Sequence, residues 1–200
     1  MYYLKNLNFD VSKYEQFNIS EINAMNQFST KQNVSTLDFE VYQNKTSEEV
    51  FDHMVAVKYY LKGTIKQKVL EDIVMQFYLE NDKNKCSLII ITQNNINDTM
   101  TKIIKQLWKK NHEYVSLLDM QSLQFNILQH KMVPPHRKMN ATEKDNLFQK
   151  YNINHDSQLP EISMFDPVAK ILLLRPGQVC EIIRHDKISL RNLFYRICVV

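Results

Sequence analysis

Two glycines in 200 residues, Gly63 and Gly177, exclude several chemistries at once. A phosphate-cradling loop and a dinucleotide fingerprint both need glycines clustered within a few positions, so that backbone amides can approach the phosphate. The Gly-x-Ser-x-Gly elbow of a serine hydrolase is absent too. Cysteine is equally sparse. Cys86, Cys180 and Cys198 form no close pair, so neither a disulfide framework nor a zinc knuckle is indicated, and all three read as small buried apolar residues. His130 and His136 stand six apart without a neighbouring cysteine and read as hydrogen-bonding groups of a Pro-fixed loop rather than as metal ligands. No apolar run approaches the roughly 18 residues that span a bilayer. The opening Met1-Tyr2-Tyr3-Leu4-Lys5-Asn6 lacks the charged-then-apolar layout of a secretory signal. An intracellular protein is expected.

Arginine and proline are both missing from the first 129 residues. That stretch holds 14 lysines against 15 acidic residues, a net charge of −1. Residues 130–200 hold 11 basic and 7 acidic residues, a net of +4, and all five prolines. The change of punctuation places a boundary close to His130. A total of +3 is too small to make the whole chain an electrostatic nucleic-acid binder. Arginine forms bidentate pairs with carboxylates and phosphates and suits partly desolvated interfaces better than lysine. Arg175, Arg184, Arg191 and Arg196 gather in the last 30 residues, where plain solvation would be served as well by lysine, so charge-paired docking is indicated.

What is present alternates between strand and helix. His53 to Leu61 alternates apolar and β-branched residues, as a strand does. Residues 65–79 place Ile65, Val69, Leu70, Ile73, Val74 and Phe77 on one helical face. Ser87 to Thr92 has the form of a strand buried on both faces, and residues 98–110 suit a helix with Met100, Ile103, Ile104 and Leu107 inward. Tyr114–Leu118 and Phe125–Leu128 read as further strands, giving an α/β first part. In the second part Asn140 and Glu143 have capping-box spacing, opening a helix through Leu147, Phe148 and Tyr151. Asp166-Pro167 is a second helix start, for Val168–Leu174. Pro176-Gly177 fits a type II turn leading into a strand at Val179–Ile183, with Leu193–Val200 as its hairpin partner. That describes a small α+β module.

Enzymatic constellations are mostly missing. Metal-assisted phosphodiester cleavage needs acidic ligands and commonly a lysine two residues after one of them; no Asp or Glu here is followed two positions later by Lys. Glu80-Asn81-Asp82-Lys83-Asn84-Lys85 reads as a solvated turn. Lys102, Lys105 and Trp108-Lys109-Lys110 form a basic helix end, read as a solvated face with Trp108 turned inward.

Several fragments of the last third are similar to one family. His130-Lys131-Met132-Val133-Pro134-Pro135-His136 is followed in order by Ser157-Gln158-Leu159-Pro160 and Asp166-Pro167-Val168-Ala169. Gly177-Gln178-Val179, Ile182-Ile183-Arg184 and Tyr195-Arg196-Ile197-Cys198 complete the set. Together they resemble the assembly domain of the fifth-largest subunit common to eukaryotic RNA polymerases I, II and III, and of its small counterpart in archaeal polymerases. Upstream, Gln93-Asn94-Asn95-Ile96 after an apolar strand resembles a strand end in the N-terminal jaw of the eukaryotic version. Residues 1–60 match only loosely, and nothing is carried over from them. The chain also departs from the family. Leu173 stands where the family has glycine, Pro176 where it has a basic residue, and Asp186-Lys187 where it has Ser-Glu. The hairpin glycine is replaced near Leu190, and Asn97-Asp98-Thr99 has no proline. Such drift, with an Asn-Lys-Ile bias, suits a large DNA virus or a divergent protist.

The resemblance implies an α/β jaw domain over 1–129 and a small α+β assembly domain over 130–200. The chain is then a non-catalytic subunit of a multisubunit DNA-dependent RNA polymerase, with no active site, cofactor or metal of its own. Its partners are the largest subunit, neighbouring small core subunits and downstream duplex DNA held by weak non-specific contact, with no membrane. Docking is expected through His130, Pro134, His136, Asp166, Pro167, Arg175, Gly177, Arg184, Tyr195 and Arg196. Gln93, Asn94, Asn95, Lys102 and Lys105 are the candidate DNA-proximal residues. The location implied is the nucleus for a cellular protein, and the virion or cytoplasmic factory for a viral one. Two other readings stand beside it: a metal-dependent nuclease on the N-terminal domain, and a freestanding transcription adaptor.

Overall fold

The structure is a computed structural model that describes residues 1–28, 35, 37–43, 54–61, 63–185 and 190–200. The chain divides into two compact units, Met1–Gln124 and Phe125–Val200.

The first unit contains α1 (Tyr2–Asn6), α2 (Ile19–Phe28), β1 (Phe39–Tyr42), β2 (Met54–Tyr60), α3 (Gln67–Glu80), β3 (Cys86–Thr92), α4 (Asp98–Asn111) and β4 (Val115–Asp119). Its sheet has the order β1-β2-β3-β4, antiparallel between β1 and β2 and parallel thereafter. The expected strand beginning at His53 is described from Met54; His53 itself lies outside the described residues. The Leu88-Ile89-Ile90-Ile91 run forms the central strand, and all seven residues of β3 are buried, as a parallel strand covered on both faces requires. β2, β3 and β4 succeed one another in one direction. Right-handed crossovers then put both connecting helices on the same face, and α3 and α4 do touch. Leu70, Val74, Phe77 and Tyr78 of α3 are buried, while Ile65 is buried just ahead of the helix and Val69 and Ile73 are half-buried. The Tyr78 hydroxyl ties α3 to the strands, donating to the Tyr114 carbonyl at 2.6 Å. Met100, Ile103 and Ile104 face inward from α4, and Leu107 is half-buried. Upstream, Phe9 bridges to Gln43 and the Asp10 amide donates to the Tyr42 carbonyl, fastening the N-terminal segment to β1.

The second unit comprises β5 (His136–Lys138), α5 (Ala141–Tyr151), β6 (Glu161–Ser163), α6 (Pro167–Ile171), β7 (Val179–Arg184) and β8 (Asn192–Val199). Its sheet runs β5-β7-β8-β6. The β7–β8 hairpin is as expected, and the Asn140–Glu143 capping box is formed, each side chain accepting from the other residue's amide. Asp166 caps α6 through the Val168 amide, with Pro167 at the first helical position. The Gln178 amide donates to the Arg175 carbonyl across Pro176-Gly177, and Gly177 has φ +88°, the positive value that a type II turn requires at its third residue.

Two expectations are corrected. Phe125–Leu128 is not a strand: the Asn126 side chain accepts from the Leu128 amide and opens a 3-10 turn at Ile127–Gln129. A side chain that satisfies the backbone locally competes with a strand ladder. The helix expected to run to Leu174 ends at Ile171, because Leu173 takes φ +51° and breaks the helical path.

Candidate docking surface

Alternation along strands gives the second unit's sheet two faces. Register sets His136 opposite Ile182 and Lys138 opposite Cys180. It also sets Cys180 opposite Arg196, Ile182 opposite Phe194 and Arg184 opposite Asn192. All of these side chains share one face. Arg137, Val179, Glu181, Tyr195 and Ile197 occupy the other.

The second of these faces packs on α5. Val179 and Ile197 form a core with Met139, Leu147 and Leu159, against which Phe148 and Tyr195 are packed. Arg137 is neutralised here, 2.6 Å from Glu143 and 3.3 Å from Glu181. On the first face the sheet meets the segment that follows α6. The Cys198 thiol lies 3.5 Å from the Leu174 carbonyl, and the buried Lys138 ammonium donates to the Leu173 carbonyl at 3.3 Å. Burial pushes the Cys180 and Cys198 thiols up to about 12, so neither is a nucleophile near neutral pH.

Toward the hairpin the first face opens to solvent. Arg184 is exposed, and its guanidinium carbon lies 4.0 Å from the centre of the Phe194 ring. The half-buried Arg196 guanidinium lies 5.6 Å from the same ring. Two cations thus share one aromatic platform. Arg196 donates one long hydrogen bond, 3.4 Å to the Glu161 carbonyl, and its covered Nε has no acceptor among the described residues. Neither arginine has an acidic partner within 4.0 Å among the described residues.

His136 completes the cluster. Its Nδ1 bonds to the Pro134 carbonyl at 2.5 Å, so this nitrogen is the protonated one and donates. Burial holds the imidazole below its ordinary range; Arg184 and Arg196 add to the shift, while the Pro134 carbonyl and Asp166 oppose it. The folded chain therefore binds a proton at His136 less readily than the unfolded chain does. Its stability contribution is full above the unfolded value of about 6.5 and declines as pH falls toward the folded one. Thermal melting between pH 7.5 and 5.5 is expected to show a falling midpoint for the second unit. His136→Gln is expected to flatten that slope; an unchanged slope would show that His136 does not contribute.

Of the expected docking residues, His136, Asp166, Arg184 and Arg196 come together, with Pro134 and Pro167 fixing the loop and helix beside them. The others do not join them. Tyr195 points to the opposite face, 6.1 Å from Tyr151. Arg175 is buried and Gly177 sits in the turn preceding β7, with its amide on the Cys198 carbonyl. His130 is exposed and accepts from the Met132 amide. Phe194 is the member that the sequence reading missed. Its signal was available, since alternation along β8 puts it between Asn192 and Arg196 on one face. In the first unit Gln93, Asn94 and Asn95 are exposed at the end of β3, with Asn94 donating to the Thr64 hydroxyl at 3.2 Å. Lys102 is exposed and Lys105 half-buried on α4. Trp108 is half-buried, edge-on to His112 and Tyr114. Among the described residues no group of three or more His, Cys, Asp or Glu side chains could hold a metal, and no helix is long and apolar enough to cross a membrane.

The second unit matches the family model for RNA polymerase Rpb5, C-terminal domain, over residues 125–198. The chain is 40% identical over 76 residues to DNA-directed RNA polymerase subunit Rpo5 of Pyrococcus horikoshii, a match covering 38% of this chain and 92% of that protein. The chain belongs to the Rpb5 family, to which the archaeal Rpo5 subunits also correspond. It is also 46% identical over 77 residues to subunit RPABC1 of DNA-directed RNA polymerases I, II and III from Caenorhabditis elegans. That match covers 38% of this chain and only 36% of the relative's length. A longer match reaches into the first unit: 29% identity over 149 residues to subunit 5B of DNA-directed RNA polymerases IV and V from Arabidopsis thaliana, 74% of this chain and 66% of that protein.

Proposed function

We propose that this chain is a non-catalytic subunit of a multisubunit DNA-dependent RNA polymerase. The observation that carries the reading is the archaeal match. A protein named as a polymerase subunit is covered over 92% of its length by a stretch of 76 residues, about the size of the second unit alone. In this reading residues 130–200 are an assembly module that docks on the largest subunit through the open end of the β7–β8 face. Residues 1–129 form a jaw beside the downstream DNA channel; the Arabidopsis match, which extends into the first unit, supports only that this unit too resembles part of a polymerase subunit. Gln93, Asn94, Asn95, Lys102 and Lys105 then meet the duplex through phosphates, so contact is weak, salt-dependent and indifferent to sequence. Nucleotide addition belongs to other subunits.

Purification of the native complex through this chain tests the proposal. Recovery of the largest polymerase subunit at equal stoichiometry is expected. Substoichiometric recovery would overturn membership and favour a freestanding adaptor.

A further inference from the structure

We infer that the Arg184–Phe194–Arg196 platform is a receptor for a carboxylate side chain, Asp or Glu, presented by the partner protein on which the second unit docks. The inference rests on the docking reading above and goes beyond it by naming the chemistry of the contact. Within the sheet, the basic residue on the opposite face is already satisfied, since Arg137 pairs with both Glu143 and Glu181. Arg184 and Arg196 are different: they lack an acidic partner among the described residues, and Arg196 makes only the long hydrogen bond to the Glu161 carbonyl. A carboxylate arriving from a partner therefore meets two guanidiniums not already paired with an acid, and a charge-assisted pair of this kind is stronger than a neutral one.

Phe194 supplies the pre-organisation. The Arg184 guanidinium carbon lies over the ring at 4.0 Å from its centre, a cation–π contact that restrains a side chain whose planar fork suits a bidentate acceptor. Two features favour a single carboxylate over a nucleic-acid backbone. The cations number two, and Arg196 sits half-buried rather than on an open ridge. The buried Ile182 and the prolines at 134 and 135 make the surroundings apolar, which strengthens one desolvated ion pair. Duplex DNA, with a charge about every 1.7 Å of axis, instead rewards a row of solvated cations.

The test uses the full chain and the largest polymerase subunit, with the dissociation constant measured for wild type and three variants. Arg184→Gln with Arg196→Gln is expected to weaken binding by about 100-fold. Arg184→Lys with Arg196→Lys keeps both charges but loses the fork, and a loss of about tenfold is expected. Phe194→Leu keeps an apolar side chain but removes the ring, with a loss of about fivefold expected; it keeps the test decisive if the glutamine pair does not fold. Wild-type affinity in the glutamine pair with its unfolding transition intact, or in Phe194→Leu if the pair does not fold, would overturn the carboxylate receptor while leaving docking in place. Failure of the wild-type chain to bind the subunit would instead overturn the docking reading. Loss of duplex-DNA retention at low salt with subunit affinity unchanged would also overturn the inference, in favour of a phosphate contact.

Discussion

Replacing Leu173 by glycine is expected to lower the stability of the second unit by about 3 kcal/mol, although glycine is the residue that this backbone conformation favours. Leu173 has φ +51°, and a left-handed leucine costs about 1–2 kcal/mol. Its side chain is only 1% exposed, however, and removing a buried leucine costs about 2–5 kcal/mol in lost contacts and cavity. Burial wins. Leu190 separates the two effects. It also holds a positive φ, +54°, yet is 76% exposed, so its side chain contributes little packing. Leu190→Gly should therefore be neutral to stabilising, by up to about 1 kcal/mol. Hydrogen exchange of the β7 and β8 amides in denaturant reads both changes. Equal signs for the two substitutions would sink the account. The resemblance put a family glycine where Leu173 stands and another near Leu190, and the backbone is left-handed at both leucines.

The second large effect lies in the first unit. Ile90 is completely buried at the middle of β3, opposite Lys58 on one side and Leu117 on the other. Ile90→Ala should cost about 3–4 kcal/mol, because a strand packed on both faces cannot collapse into the space left behind. Amides of β2, β3 and β4 should lose protection against exchange, while those of β7 and β8 keep theirs. Equal loss in both sets would mean that the chain unfolds as one cooperative body rather than as two.

The elements that were legible before the structure are those with a strong local cause. β3 announced itself by an unbroken β-branched run, α5 by its reciprocal cap, and the β7–β8 hairpin by a turn ahead of alternating apolar residues. The missed elements are short and owe their form to neighbours. β5 and β6 are three residues each, too few to show a period, and become strands only because β7 and β8 offer them ladders. α1, α2 and β1 lie in the stretch where no pattern was carried over, and β1 is defined by its pairing with β2. The docking surface was half-legible for the same reason. Counting arginines found Arg184 and Arg196 but treated Arg175 alike with them, and the resemblance added Tyr195 to the same set. Only strand register shows that Tyr195 faces the opposite way, and only packing shows Arg175 buried.

The outer strands of the second unit's sheet have a consequence for the chain before it finds a partner. Each is a single short stretch, and the first follows two prolines, which have no amide hydrogen to offer. Borders of this kind give a stray chain almost nothing to zip onto. Strand-to-strand pairing between copies through this sheet is disfavoured by geometry rather than by charge.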